Sequence, residues 1–158
     1  MAIRNVRKMG DPILRKRSRE VEKIDDRVLE ILNDMAETMY DDNGIGIAAP
    51  QVGILKRLVT VDIRDEDGLM KLINPEIIES DGETIDVEGC LSVPNFNGTV
   101  KRPQHIKLKY TDENSKENIV DLYDLKARCV CHEIDHLNGV LFVDKYIEEV
   151  KFEEESDD

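Results

Sequence analysis

The sequence predicts a single compact α+β domain in which antiparallel β-sheets pack around one helix near the C-terminal end. Three observations carry this. Val28, Leu29, Ile31, Leu32, Met35 and Met39 fall at helical spacing. Residues 58–123 then run as short apolar and β-branched segments broken by Gly, Asn and Asp, the pattern of hairpins. After them Leu125, Ala127, Arg128 and Glu133 favour helix, between Asp124 as a cap and Asn138-Gly139 as a stop signal. A helix, a strand-rich middle and a second helix make an α+β order.

Composition narrows the function classes. With 158 residues and 40% hydrophobic content, the chain can bury one real core. Trp is absent, so Leu, Ile, Val and Met carry the packing. A net charge of −13 argues against a nucleic-acid surface, which needs cations to displace counterions. The basic run of Arg7, Lys8, Arg15, Lys16 and Arg17 reads as a solvated face. The opening M-A-I-R-N-V-R-K-M-G lacks a signal-peptide core, and no later run approaches a membrane span. Three cysteines are an odd number without disulfide-framework spacing. These features point to a reducing cytoplasm, with no DNA and no membrane as partners.

Taken in order, G-D-P-I-L-R (residues 10–15) reads as a turn leading into a short extended segment, because Pro12 biases its predecessor away from helix. Asp25 or Asp26 caps the first helix, which ends near Gly44. G-I-G-I-A-A-P-Q (residues 44–51) is too apolar for a surface linker and lacks the third glycine of a dinucleotide fingerprint. Its glycines permit close backbone approach, and Gln51 offers an amide donor. Strands are expected at 58–63, 71–73, 77–79 and 84–87, a loop at 95–98, and a hairpin from 105–111 and 118–123. His105 lies on a strand without a neighbouring ligand type and reads as structural or exposed. Residues 1–147 form the catalytic domain, and the acidic residues 148–158 a disordered tail.

The organising stretch is C-V-C-H-E-I-D-H-L-N-G, residues 129–139. His132 and His136, four apart on a helix, share a face and can reach one metal ion. Glu133 projects beside that face, where it can touch a water on the metal. A metal that keeps an open position needs a third protein ligand. Cys129 is too far along the axis from His136 to share an ion with it, and Cys131 points to the opposite side. Cys90, in E-G-C-L-S-V-P beside Gly89, is the best candidate, against the common fate of a small buried hydrophobe.

Together G-I-G-I-A-A-P-Q (44–51), E-G-C-L-S (88–92) and H-E-I-D-H (132–136) resemble the peptide deformylase family, as does the early G-D-P-I-L-R. The resemblance implies a metal held by Cys90, His132 and His136, with Glu133 as general acid/base. It also implies that Gln51 and the backbone N–H of Leu91 stabilise an oxyanion. The implied activity is hydrolysis of the formyl group from N-formylmethionyl ends of new polypeptides, releasing formate, with a metal-bound water as nucleophile. The implied ion is one divalent metal, natively Fe2+, with Zn2+, Ni2+ or Co2+ able to substitute. Ile45, Cys129, Leu91 and Leu125 are expected as walls of the methionine pocket, with Gly46 and Gly89 as further substrate contacts. Partners on this reading are formylated nascent chains and, transiently, the ribosome, met by a monomer. Cys131 departs from the family, which usually has Gln before the first histidine.

Two other classes compete. A zinc metalloprotease would use the same H-E-x-x-H but needs a third His or Glu downstream, and no histidine follows His136. A metal-binding or redox-sensing module built on Cys90 with Cys129 or Cys131 leaves Gln51 and Glu133 without work.

Overall fold

The computed structural model describes residues 2–152. Helix α1 (Asp26–Asp41) is followed by β1 (Gly46–Ala48), β2 (Leu58–Val61), β3 (Met70–Asp81), β4 (Thr84–Cys90), β5 (Val93–Arg102), β6 (His105–Thr111) and β7 (Glu117–Tyr123). Helix α2 (Asp124–Leu137) follows directly. One five-stranded antiparallel sheet runs in the order β1-β2-β3-β6-β7, and β4 and β5 form a separate hairpin.

The pleat of β2 explains how two helices share one sheet. Successive strand residues face opposite sides. Val59 and Val61 pack with Leu72, Ile106 and Leu108 against Ala127, Val130, Ile134 and Leu137 of α2. Leu58 packs with Ile73 against Val28, Ile31, Leu32, Met35 and Met39 of α1. These five α1 side chains are at most 1% exposed, and burial of each contributes roughly 1.5–3 kcal/mol. That outweighs helix-propensity differences of about 0.7 kcal/mol per residue or less. Asp25 caps α1 by accepting from the Val28 N–H at 3.0 Å. On the far side of α2 lies the β4–β5 hairpin, so the helix sits between the two sheets.

The N-terminal arm reaches the C-terminal end of α2. The Ser18 N–H donates to the Leu137 carbonyl at 2.8 Å, and Arg57 reaches the same oxygen at 3.2 Å. Arg17 and Arg57 both donate to the Asn138 side-chain oxygen, at 3.2 and 3.0 Å. Cations placed there satisfy open carbonyls and oppose the negative end of the helix dipole. Gly139 makes this approach feasible: its φ is +76°, and a Cβ would stand 2.5 Å from the Arg15 carbonyl oxygen. The basic run is therefore partly a helix cap, where the sequence reads as a solvated face.

Other local expectations are corrected. Pro12–Arg15 is a 3-10 turn rather than an extended segment, capped by Asp11 on the Ile13 N–H; proline suits a first helical turn. Strands expected separately at 71–73 and 77–79 are one strand, β3, with a register shift at Asn74-Pro75. Asn74 holds that bulge through its side chain, accepting from and donating to the Val21 backbone at 2.8 and 2.9 Å. Residues 95–98 lie within β5, not in a loop, since Phe96 packs on Phe142 and Tyr146. Asp124 does not cap α2: it is the first helical residue, with φ +53°, and Tyr123 precedes it without a side-chain cap. His105 does have neighbouring ligand types, standing between Asp81 at 3.1 Å and Asp121 at 2.7 Å. In the expected tail, Thr99 N–H donates to the Glu148 carbonyl and Val150 N–H to that of Asn97. Residues 153–158 lie outside the described residues.

Candidate metal centre

Each ligand candidate arrives on a different device. His132 and His136 stand one helical turn apart on α2, ring centroids 5.1 Å from each other. Cys90 ends β4, just before the tight turn into β5, and its sulfur lies 3.3 Å from His136 Nε2. The ligand atoms of Cys90, His132 and His136 all fall within 4.8 Å of one another. One thiolate and two imidazoles are a donor set suited to a tetrahedral divalent ion with one position open. Cys129 is not in this group; its sulfur faces the Ile45 carbonyl at 3.5 Å. Cys131 is buried in the sheet-facing core, which pushes its thiol up to about 11.

The orientation of His132 is fixed from behind. Its Nδ1 lies 2.8 Å from a Glu88 carboxylate oxygen. An ionised carboxylate only accepts, so Nδ1 carries the proton and Nε2 is left free to bind a cation. Glu88 is itself held by Arg102 in a two-pronged contact, 2.9 Å on each oxygen, and by Arg128 at 2.7 Å. Burial alone would raise the Glu88 carboxyl, but the bonds from His132 and Arg102 outweigh it and hold it down to about 2. Burial likewise opposes charge on His132, yet Cys90 and Glu88 push that ring up to about 10. A ring made this basic is a strong electron donor to a cation. Sequence reasoning assigned no role to Glu88, Arg102 or Arg128. The available signal was the acid two positions before Cys90, because metal-bound imidazoles commonly have a carboxylate behind them.

Glu133 is 4% exposed, and its Oε1 is buried without a protein hydrogen-bond partner. Burial pushes its carboxyl up to about 7, against the pull of His132. A Cβ on Gly46 would stand 2.6 Å from Glu133 Oε2 and 2.7 Å from Cys129 Sγ, so the β1 backbone fits against both side chains only as glycine. Gln51 is 1% exposed. Its carbonyl accepts from the Ala48 N–H at 2.9 Å, which turns the amide so that Nε2 faces Ser92 Oγ at 3.1 Å and Cys90 Sγ at 3.6 Å.

These groups open into one cavity of about 390 Å³. Ile45, Gly46, Gly89, Leu91, Leu125 and Cys129, all expected near the substrate, line it together with Gln51, Cys90, His132 and Glu133. Val87, Arg128 and Asn43 also line it and were not foreseen. The third ligand candidate thus comes from upstream of the helix, and the protease alternative is not favoured.

Known proteins place this arrangement. The family model described as polypeptide deformylase matches residues 3–152. The peptide deformylase 1 of Clostridium acetobutylicum is 57% identical over 148 residues, 94% of this chain and 97% of its own length. The peptide deformylase of Finegoldia magna is also 57% identical, over 93% of this chain and 91% of its own. Among solved structures, the peptide deformylase of Thermotoga maritima superposes with a TM-score of 0.88 at 40% identity, covering 92% of this chain and 98% of its own. The chain belongs to the polypeptide deformylase family.

Proposed function

We propose that this metal-dependent deformylase holds one divalent ion between Cys90, His132 and His136 and removes the formyl group from N-formylmethionyl ends of new polypeptides. The observation that carries the reading is the convergence of those three ligand atoms within 4.8 Å, at a cavity that Cys90 and His132 line together with Glu133 and Gln51. When bound, the ion supplies Lewis acidity, which makes a hydrolytic water acidic near neutral pH and polarises a carbonyl. The thiolate and two imidazoles suit Fe2+ and Zn2+ alike; membership of the family favours Fe2+ as the native ion, with Zn2+, Ni2+ or Co2+ able to substitute.

The chain's own residues do the rest. Glu133, with one oxygen free of protein partners, takes the proton of the hydrolytic water and passes it to the departing amine. Gln51 Nε2 and the Leu91 N–H donate to the oxyanion that forms on the formyl carbon; neither donor titrates near neutrality, so the hole persists across the working pH range. Ile45, Leu91, Leu125 and Cys129 accept the unbranched methionine side chain, while Gly46 and Gly89 let the substrate backbone come close. Among the described residues no helix is long and apolar enough to cross a membrane. A reducing cytoplasm suits a metal-binding thiolate, and newly made formylated chains are met there, including during transient contact with the ribosome.

The test is formate release from a formyl-Met peptide by anaerobically prepared protein of known metal content, beside hydrolysis of an internal peptide bond. Glu133→Ala is expected to abolish formate release with metal retained, and Cys90→Ala to lose the metal. Full metal retention by Cys90→Ala, or cleavage of internal bonds without formate, refutes the assignment.

A further inference from the structure

The two oxyanion donors belong to different sheets. Gln51 sits in the 3-10 turn Ala49–Val52 that follows β1, and Leu91 in the turn between β4 and β5. Among the described residues no backbone hydrogen bond outside helices and strands joins these turns directly. Side chain to side chain, Gln51 Nε2 faces Ser92 Oγ at 3.1 Å and Cys90 Sγ at 3.6 Å; backbone to backbone, residues 7–9 of the N-terminal arm bridge the two turns. The Arg7 N–H donates to the Gln51 carbonyl at 2.6 Å, and the Met9 N–H to the Ser92 carbonyl at 2.7 Å. Between them the Lys8 ammonium donates to the Leu91 carbonyl at 3.0 Å. The strap is pinned at its N-terminal end. Val6 packs against the α1 core, and the Arg7 side chain passes so near Gly53 (φ +85°) that a Cβ there would meet Nη2 at 2.9 Å.

We propose that residues 7–9 form a positioning strap that sets the separation of the two oxyanion donors, with Lys8 as its solvent-side positioning residue. The inference rests on the assignment of Gln51 and the Leu91 N–H as those donors. Lys8 touches no reacting atom. It holds the Leu91–Ser92 peptide from outside while Arg7 holds the backbone of Gln51, so the strap fixes the hole as a frame fixes two posts. An oxyanion hole works by preorganisation, since donors that must move into place give back part of their stabilisation. Loosening the strap therefore lowers kcat more than it raises KM, because the ground-state carbonyl is held less tightly than the transition state.

Lys8→Met removes the ammonium and keeps the apolar stem. It is expected to lower kcat about 3- to 10-fold with KM, metal content and thermal midpoint essentially unchanged, and Lys8→Arg is expected to restore most of the loss. The decisive arm is the double variant with Gln51→Ala. If the strap acts through the alignment of both donors, Lys8→Met costs clearly less in that background than in the wild type. Unchanged kcat in Lys8→Met overturns the proposal. So does an equal cost in both backgrounds, or a loss matched by lost metal or a lower midpoint. Removal of residues 2–9 is the second variant: a chain that folds and binds metal with undiminished kcat also overturns it. Should Gln51→Ala alone leave kcat intact, the oxyanion assignment falls and takes the strap with it, an outcome distinct from failure of the strap alone.

Discussion

Glu88 accepts the Nδ1–H of His132 at 2.8 Å while Arg102 and Arg128 grip the same carboxylate, so the metal helix is tied to the β4–β5 hairpin through a buried acid. The hairpin that carries Cys90 is thus the hairpin that orients His132. Ligand candidate and orienting group are two residues apart on one strand, and any shift of β4 moves both together.

Replacing Glu88 by Gln keeps a hydrogen-bond acceptor but weakens one of the contacts, after that of Cys90, that make His132 basic. Metal affinity is expected to fall about 10- to 100-fold, the usual cost of losing such a partner. Competition against a chelator of known affinity measures it, and an unchanged dissociation constant would show that Glu88 does not tune the ring.

On the proposed assignment of Gln51 as an oxyanion donor, Gln51→Ala removes that donor while leaving the three ligand candidates in place. The expected cost is about 3 kcal/mol in activation free energy, on the order of a hundredfold in kcat. Steady-state kinetics at saturating formyl-Met peptide reads it directly; a change confined to KM would place Gln51 in substrate binding instead.

Gly139→Ala combines a positive φ of +76° with a Cβ 2.5 Å from the Arg15 carbonyl. Backbone strain of this kind costs on the order of 1–3 kcal/mol, before any movement of the N-terminal arm. Denaturant unfolding of the two proteins compares them. A midpoint equal to wild type would mean that the arm yields freely at this point.

His105 gives a pH-dependent contribution to stability. Its ring is 15% exposed, lies between Asp121 and Asp81, and stacks on Tyr123. Hydrogen bonds from the ring to Asp121 and then Asp81 raise its pKa above the ordinary value. The folded chain therefore holds this proton more tightly than the unfolded chain. The stabilisation is complete below about pH 6.5, the usual histidine value, and disappears as pH climbs through the raised folded value. Thermal midpoints of wild type and His105→Gln should differ most near pH 6 and converge in alkaline buffer; a constant difference across that range would contradict the pairing.

What was legible in the sequence is what periodicity and spacing carry. The α1 face, the pairing of His132 with His136 and the hairpin of β6 with β7 all follow from local pattern. Two of the failures share one cause, which is tertiary contact overriding local composition. Asn74-Pro75 reads as a strand break, yet the Asn74 side chain bonded to Val21 turns it into a bulge within β3. Residues 95–98 read as a loop, yet Phe96 buried against Phe142 draws them into β5. Glu88 was visible as part of a motif, but its partners Arg102 and Arg128 lie 14 and 40 residues away in sequence, beyond any local pattern.

The grip of the N-terminal arm on the far end of α2 bears on how this enzyme comes into being. Arg15 reaches the Gly139 carbonyl across 124 residues, Lys8 reaches Leu91 across 83, and Glu88 reaches His132 across 44. Contacts of such long sequence separation close late in folding. A chain still in synthesis that has passed Cys90 but not yet α2 has neither histidine of the candidate centre, and Arg15, Arg17 and Ser18 have no helix end to clasp. A site that needs all three ligand candidates therefore waits for synthesis of the last quarter of the polypeptide.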